Sequence, residues 1–250
     1  MDAEWLNAIK IYHILKNLLI PYDTNFKKIR IGSNLDGGYV IAEMKNFDAL
    51  YSYGCDNKLS FETDFYEKYG SQCYLYDHTQ NMTENIPKYI KFKKEGVSHV
   101  KCDNMNTLDS HIIENGDENT QNLFLQMDIE GAEYKTLLAS NCLTNFSQIV
   151  LEFHIRVWEN NFKVDTKDLK ELLEKLNQSF RCIHIHGNNS YVQPWYYKNK
   201  IPLVFEVTYV RKDLISSYTK RTIPFPEEGL DFPNFSHAPD LTINYFIDDY

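Results

Sequence analysis

The sequence predicts an α/β fold: a seven-stranded, mostly parallel sheet with helices on both faces, closed by an antiparallel hairpin. Three observations carry the prediction. Short apolar runs alternate with segments of helical periodicity along most of the 250 residues, as in sheets built from strand-helix-strand units. The run Leu123, Phe124, Leu125, Gln126, Met127 is apolar almost throughout, as expected of a strand buried on both faces. Gly54, Asp77, Asp128 and the segment Glu152 to His154 all fall where predicted strands end. In open parallel sheets, ligands bind beyond the carboxyl ends of the strands, where the strand order reverses.

Each element follows from local pattern. Trp5, Ile9, Tyr12, Lys16 and Leu19 lie at helical spacing ahead of Pro21, which predicts a capping helix ending near Ile20. A turn-like Asp36, Gly37, Gly38 precedes the apolar Tyr39 to Ile41, and Leu50 to Tyr53 reads as the first core strand, stopped by Gly54. Phe61 to Tyr69, closed by Gly70, is the helix that follows it. Cys73 to Tyr76 is the second strand, and Ile90 to Val97 with Val100 to Cys102 supplies the third. After a helix over Leu108 to Glu114, Leu123 to Met127 is the fourth strand, with Glu133 to Ser140 as its crossover helix. Ile149 to Phe153 is the fifth, Asp165 to Leu176 an amphipathic helix, and Cys182 to His186 with Leu203 to Val210 the closing pair. Beyond Thr222 the chain turns Pro-rich and aromatic and is expected to pack as an extended flap or a subunit contact. The whole reads as one domain, with a helix and cap over 1–47, a core over 48–210 and an extension over 211–250.

Composition removes several classes of function. With 26 Lys and Arg against 35 Asp and Glu, the net charge of −9 repels a polyphosphate backbone, so nucleic acid is not an expected partner. The mean hydropathy of −0.48 and the lack of an apolar stretch near the roughly 20 residues a bilayer requires argue against a membrane span. Acids near Met1 stand where a secretory signal carries Lys or Arg, and the five cysteines are odd in number with no CxxC pair. A reduced, cytoplasmic compartment is therefore expected, with each thiol a small buried side chain. Self-association into a homo-oligomer stays open.

The turn Gly54, Cys55, Asp56, Asn57, Lys58 lacks the G-x-G-x-x-G pattern that brings amides against a pyrophosphate, which disfavours a dinucleotide. A single glycine still lets the backbone approach a bulky, uncharged cofactor. Asp77, at the end of the second strand, is placed to accept hydrogen bonds from two ribose hydroxyls. Asp128 ends a buried strand, where an unpaired carboxylate is costly, so a cation, a cofactor ammonium or a metal is expected beside it. Glu130 and Glu133 follow in the same segment, where acids also favour a helix amino terminus.

The segments Arg30, Ile31, Gly32 with Asp36 to Tyr39, then Ser52, Tyr53, Gly54, the block Met127 to Glu133, and Leu151 to His154 together resemble the FkbM-like methyltransferases. The Asp-Ile-Glu-Gly-Ala-Glu block closing the fourth strand is the most specific of these, and the resemblance spans about residues 25 to 210. It implies the class I Rossmann-like fold and S-adenosylmethionine as cofactor. By the resemblance, Tyr53, Gly54 and Asp77 hold the cofactor with Asp36 and Gly38, the region from Asp103 to Met105 lies near the adenine, and Asp128 faces the methionine end or the acceptor.

His154 and His186 are expected to leave adjacent sheet edges toward one cleft. A sugar hydroxyl is too weakly acidic to ionise near neutral pH, so a base or a divalent cation has to lower that barrier. Asp128, Glu152, His154 and His186 are the candidate catalytic groups. The set is compatible with Mg or Mn, but a base is favoured and a metal is not expected. Arg156, Asn188 and Trp195 are the candidate substrate contacts, with Trp158, Tyr196 and Tyr197 as further aromatics and Arg181, Lys198 and Lys200 as cations for the phosphates of an activated sugar. The expected activity is O-methylation of a small carbohydrate, such as a nucleotide-activated sugar for bacterial surface polysaccharide. Methylation of a lipid, a peptide or another small molecule, or cofactor binding without turnover, are the alternatives.

Overall fold

A computed structural model describes residues 3–55, 58–82, 86–157, 162–190, 196 and 201–247. The chain opens with α1 (Ala3–Leu18), whose buried Ala8, Ile11 and Leu15 recur at helical spacing. Then come β1 (Tyr22–Thr24), the antiparallel pair β2 (Lys28–Gly32) and β3 (Gly38–Ala42), β4 (Ala49–Tyr53) and α2 (Ser60–Tyr69). Next are β5 (Gln72–Tyr76), β6 (Ile90–Lys93), the short β7 (Gly96–Val97) and β8 (Met105–Asn106), and α3 (Leu108–Asn115). They are followed by β9 (Leu123–Met127), α4 (Glu133–Ala139), β10 (Phe146–His154), the short β11 (Arg156–Val157) and β12 (Phe162–Lys163), and α5 (Thr166–Ser179). Last come β13 (Phe180–Gly187), β14 (Val204–Arg211) and β15 (Tyr218–Lys220).

The central sheet has seven strands in the order β13-β14-β10-β9-β4-β5-β6. All pairings are parallel from β10 to β6, while β14 runs antiparallel to both β10 and β13. This is the predicted Rossmann-like sheet with its closing hairpin. The chain moves outward from β4 through β5 to β6, then returns to β9 on the other side, so the order reverses between β4 and β9. Their carboxyl ends, at Tyr53 and Met127, lie side by side, and the Asp128 amide donates to the Tyr53 carbonyl at 3.0 Å.

Both faces are covered. Leu169, Leu172, Leu173 and Leu176 of α5 pack with α1, Tyr134 and Leu137 against one face, and Phe61 and Phe65 of α2 pack with the β2–β3 hairpin against the other. Two readings of the sequence change. The third-strand region stops at Lys93: Gly96–Val97 leaves the sheet to pair with Met105–Asn106, and Cys102 makes only an isolated bridge to Met105. Cys102 is also exposed, unlike the buried Cys55, Cys73 and Cys182.

The described part of the carboxyl-terminal segment packs into the core. Phe225 and Ile243 pair across it, and Phe225, Leu241, Ile243, Tyr245 and Phe246 are buried. Asn189 ties it down, donating from Nδ2 to the carbonyls of Phe235, Ala238 and Pro239. No described helix is long and apolar enough to cross a membrane.

Candidate active site

At the switch point a cavity of about 340 Å³ opens between the ends of β4, β5 and β9. That lies within the range of small-molecule sites, about 300–1,000 Å³. Its lining takes Tyr53 and Gly54 from the end of β4, Asp77 from the end of β5, Asp128 from the end of β9, Asp36 from a flanking turn and Met105 from β8. Gly54 has φ +80°, and a Cβ there would stand 1.8 Å from the Asp128 carbonyl oxygen. Only glycine lets the two strand ends approach this closely.

Asp77 is 8% exposed and organises the loops around the cavity. Oδ1 accepts from the Thr79 amide at 2.8 Å, the Thr79 hydroxyl at 2.6 Å and the Gln80 amide at 3.2 Å. Oδ2 accepts from the Cys55 amide at 3.2 Å. Burial opposes the charge, yet these donors outweigh it and hold the carboxyl below its ordinary pKa. Asp77 therefore does more for its surroundings than a solvated strand-end acid would.

Two of the residues expected at the cofactor lie off the lining. Gly38 is buried in the β2–β3 hairpin against the Ser33 carbonyl, and Asp103 sits exposed in the turn before Met105. Asp36 stands at the rim opposite Lys58, 3.4 Å away.

At the β9 end of the cavity lies a cluster of acids around His154. Sheet register explains it: Val150 pairs with Gln126 and Leu151 with Met127, so Asp128 and Glu152 emerge on one face, and His154 follows Glu152 by two residues. The His154 side chain is 2% exposed. Its Nδ1 faces Glu133 Oε1 at 3.1 Å, and because that oxygen already accepts from the Ile129 and Gly131 amides, Nδ1 is the donor. Its Nε2 faces Glu130 Oε2 at 3.4 Å, and Asp128 Oδ1 and Glu152 Oε2 at 3.8 Å each.

Asn188 fixes the far side of Glu152, donating to Oε1 at 2.8 Å. Burial raises the Glu152 pKa to about 7, against the pull of His154 and Asn188. Burial and the carboxylate of Glu152 drive Asp128 upward too, although 27% of its side chain stays exposed. Burial disfavours the His154 imidazolium, but Glu133, Glu152 and Glu130 outweigh it and raise the pKa to about 9.

His186 does not join this cluster. It lies in register with Glu206 and, through it, with Glu152, so it shares their face but stands two strands away, roughly 10 Å. Glu206 intervenes and takes its Nδ1 at 3.2 Å, while Asp240 of the carboxyl-terminal segment takes Nε2 at 3.0 Å. The expected pair of histidines at one mouth is thus a single histidine, His154.

Arg156 pairs with Glu4 of α1. Arg181 stacks on Tyr22 and Tyr218, near the amino-terminal end of β13 and away from the mouth. Trp195, Trp158, Tyr197, Lys198 and Lys200 lie outside the described residues. Among the lining residues that were not anticipated, two are buried and polar. Glu62, 3% exposed, keeps a buried Oε2 without a hydrogen bond among the described residues, and Gln126 is the polar interruption of an otherwise apolar strand. Gln126 was legible as that interruption, whereas Glu62 sits within a helix whose apolar face drew the reading.

The model of the FkbM methyltransferase domain matches residues 23–182. The chain belongs to the FkbM methyltransferase family. That match takes in β2 through α5 and hence the cavity and the acid cluster. No curated protein matches. Among solved structures, the FkbM chain is similar to a predicted O-methyltransferase, protein Atu636 from Agrobacterium tumefaciens, at 10% identity over 72% of this chain and 78% of that one, with a TM-score of 0.37. It is also similar to a protein of Listeria monocytogenes proposed as an S-adenosylmethionine-dependent methyltransferase, at 8% identity over 67% and 92%, with a TM-score of 0.38.

Proposed function

We propose that this FkbM-family chain methylates a hydroxyl of a small carbohydrate, free or nucleotide-activated, with S-adenosylmethionine as donor. The observation that carries the reading is the direct contact between a cavity suited to that donor and a partly buried cluster of acids around His154, with Asp128 belonging to both.

The lining fits the donor on three counts. Gly54 leaves backbone open to a bulky group, Asp77 Oδ2 keeps acceptor capacity for a ribose hydroxyl, and Glu62 Oε2, without a hydrogen bond among the described residues, suits an ammonium. Tyr53, Gly54, Asp77, Met105 and Glu62 would hold it, and when bound it supplies an already activated methyl group. What falls to the protein is then alignment of the acceptor and removal of its proton. A hydroxyl beside Asp128 meets Glu130, Glu152 and the ring of His154 within one cluster. Several acceptors converging on one point suit a polyol, whose neighbouring hydroxyls can each donate a hydrogen bond.

Calorimetry with S-adenosylmethionine and its demethylated product, followed by turnover on a panel of sugars and nucleotide sugars, tests the proposal. Binding of both with methyl transfer to a sugar oxygen is expected. Absence of binding at millimolar concentration removes the donor, and binding with transfer only to lipid, peptide or other acceptors removes the carbohydrate.

A further inference from the structure

We infer that Asp128, Glu130 and His154, with Glu152 beside them, form a divalent-cation site of the Mn²⁺ type at the acceptor end of the cavity. The sequence favoured a base here, but the arrangement of the donor atoms has the character of a ligand set.

One ligand atom each from Asp128, Glu130 and His154 lies within 4.8 Å of the others. The separations from His154 Nε2, 3.4 Å to Glu130 and 3.8 Å to Asp128, fall between adjacent and opposite ligands of a small octahedral ion, roughly 3 and 4 Å apart at metal–ligand distances of about 2.0–2.1 Å.

A second, independent observation concerns orientation. The His154 side chain is buried, and its Nε2 makes no hydrogen bond to a described residue although it is aimed at three carboxylates. Asp128 Oδ1 is likewise a buried oxygen without a hydrogen bond among the described residues. Glu133 holds His154 Nδ1 and Asn188 holds Glu152 Oε1, so His154 Nε2 and Glu152 Oε2 face inward because a partner has fixed the opposite atom of the same group. A carboxylate behind a ligating histidine is the common outer-shell device of metal centres.

Charge points the same way. Asp128, Glu133 and Glu152 have no Lys or Arg partner among the described residues and share the single ring of His154, so one singly charged group faces several carboxylates and a further cation is favoured there. Two carboxylates with one imidazole favour Mn²⁺, since carboxylate and water suit Mg²⁺ and Mn²⁺ while imidazole suits the later transition metals. The cation's use, to hold the acceptor oxygen in place, rests on the proposed O-methylation; its binding does not.

The test therefore reads binding without turnover. Full-length protein stripped with chelator is titrated with Mn²⁺, and free Mn²⁺ is followed by electron paramagnetic resonance. One ion per chain is expected. Glu130→Gln alters a side chain that is 60% exposed and should leave the fold intact, yet it should weaken Mn²⁺ binding by at least about ten-fold. His154→Gln should abolish binding, and the surface change Glu171→Gln should leave it unchanged. Folded wild-type protein that binds no Mn²⁺ at millimolar concentration, or Glu130→Gln protein that binds it with wild-type affinity, overturns the assignment. A positive titration with no S-adenosylmethionine binding would retain the cation site and reject the proposed activity.

Discussion

His186→Gln should destabilise the protein through a clamp remote from the chemistry. The ring is buried, and it joins Glu206 on β14 to Asp240 in the carboxyl-terminal segment at 3.2 and 3.0 Å. Burial disfavours its charge, but Glu206, Asp240 and the nearby Asp231 outweigh that, raising its pKa to about 10. The gap from the ordinary 6.5 corresponds to about 5 kcal/mol, at ~1.4 kcal/mol per pH unit. Removing one partner of a buried ion pair independently costs about 3–5 kcal/mol.

Because the folded pKa is the raised one, the contribution is fully present below pH 6.5 and disappears as pH rises toward 10. Urea unfolding followed by intrinsic fluorescence should therefore show the variant about 3–5 kcal/mol less stable at pH 6 to 7, with the difference shrinking steadily toward pH 10. Affinity for S-adenosylmethionine in the folded variant should stay unchanged. A loss below about 1 kcal/mol, the level of a surface pair, or a difference that does not vary with pH, would refute the clamp.

Three further outcomes follow from the same structure. Gly54→Ala puts a methyl group 1.8 Å from the Asp128 carbonyl oxygen at φ +80° and should cost about 2–5 kcal/mol from left-handed strain and overpacking together; an unchanged melting temperature would contradict that contact. Asp77→Ala should weaken S-adenosylmethionine binding by about 1–3 kcal/mol and loosen the Cys55 and Thr79 loops, seen as faster amide exchange there, whereas wild-type affinity would assign the ribose to another acid. Asp231, 2.7 Å from His184, is buried, which opposes its charge, but His184 lowers its pKa to about 2. Asp231→Asn should therefore cost about 2–3 kcal/mol above pH 4, and the difference should fade as pH drops toward 2; equal acid unfolding of both proteins would show that the pair does not act this way.

Much of the candidate site was legible because it is local to strand ends. Gly54, Asp77, Asp128 and Glu152 each follow an apolar run, and a parallel sheet brings such ends to one edge whatever the loops do. The partners of these acids were less legible. His154 could be placed at a strand end, but its clamp by Glu133 depends on the left-handed backbone at Glu130, φ 56°, which turns the loop so that Ile129 and Gly131 both donate to that carboxylate. His186 has the same signature as His154, a histidine ending an apolar run, and only the insertion of β14 between β10 and β13 separates them.

The sequence by itself determined the order of elements, the seven strands and the edge on which ligands would meet the sheet, because apolar periodicity and chain breakers act within a few residues of one another. Tertiary structure alone decided which histidine meets the acids, where the chain beyond Thr222 packs, and that Glu62 faces the cavity. Those outcomes depend on register and on contacts such as His186 with Asp240, 54 residues apart, and local pattern has no means of encoding which distant groups a buried side chain will meet.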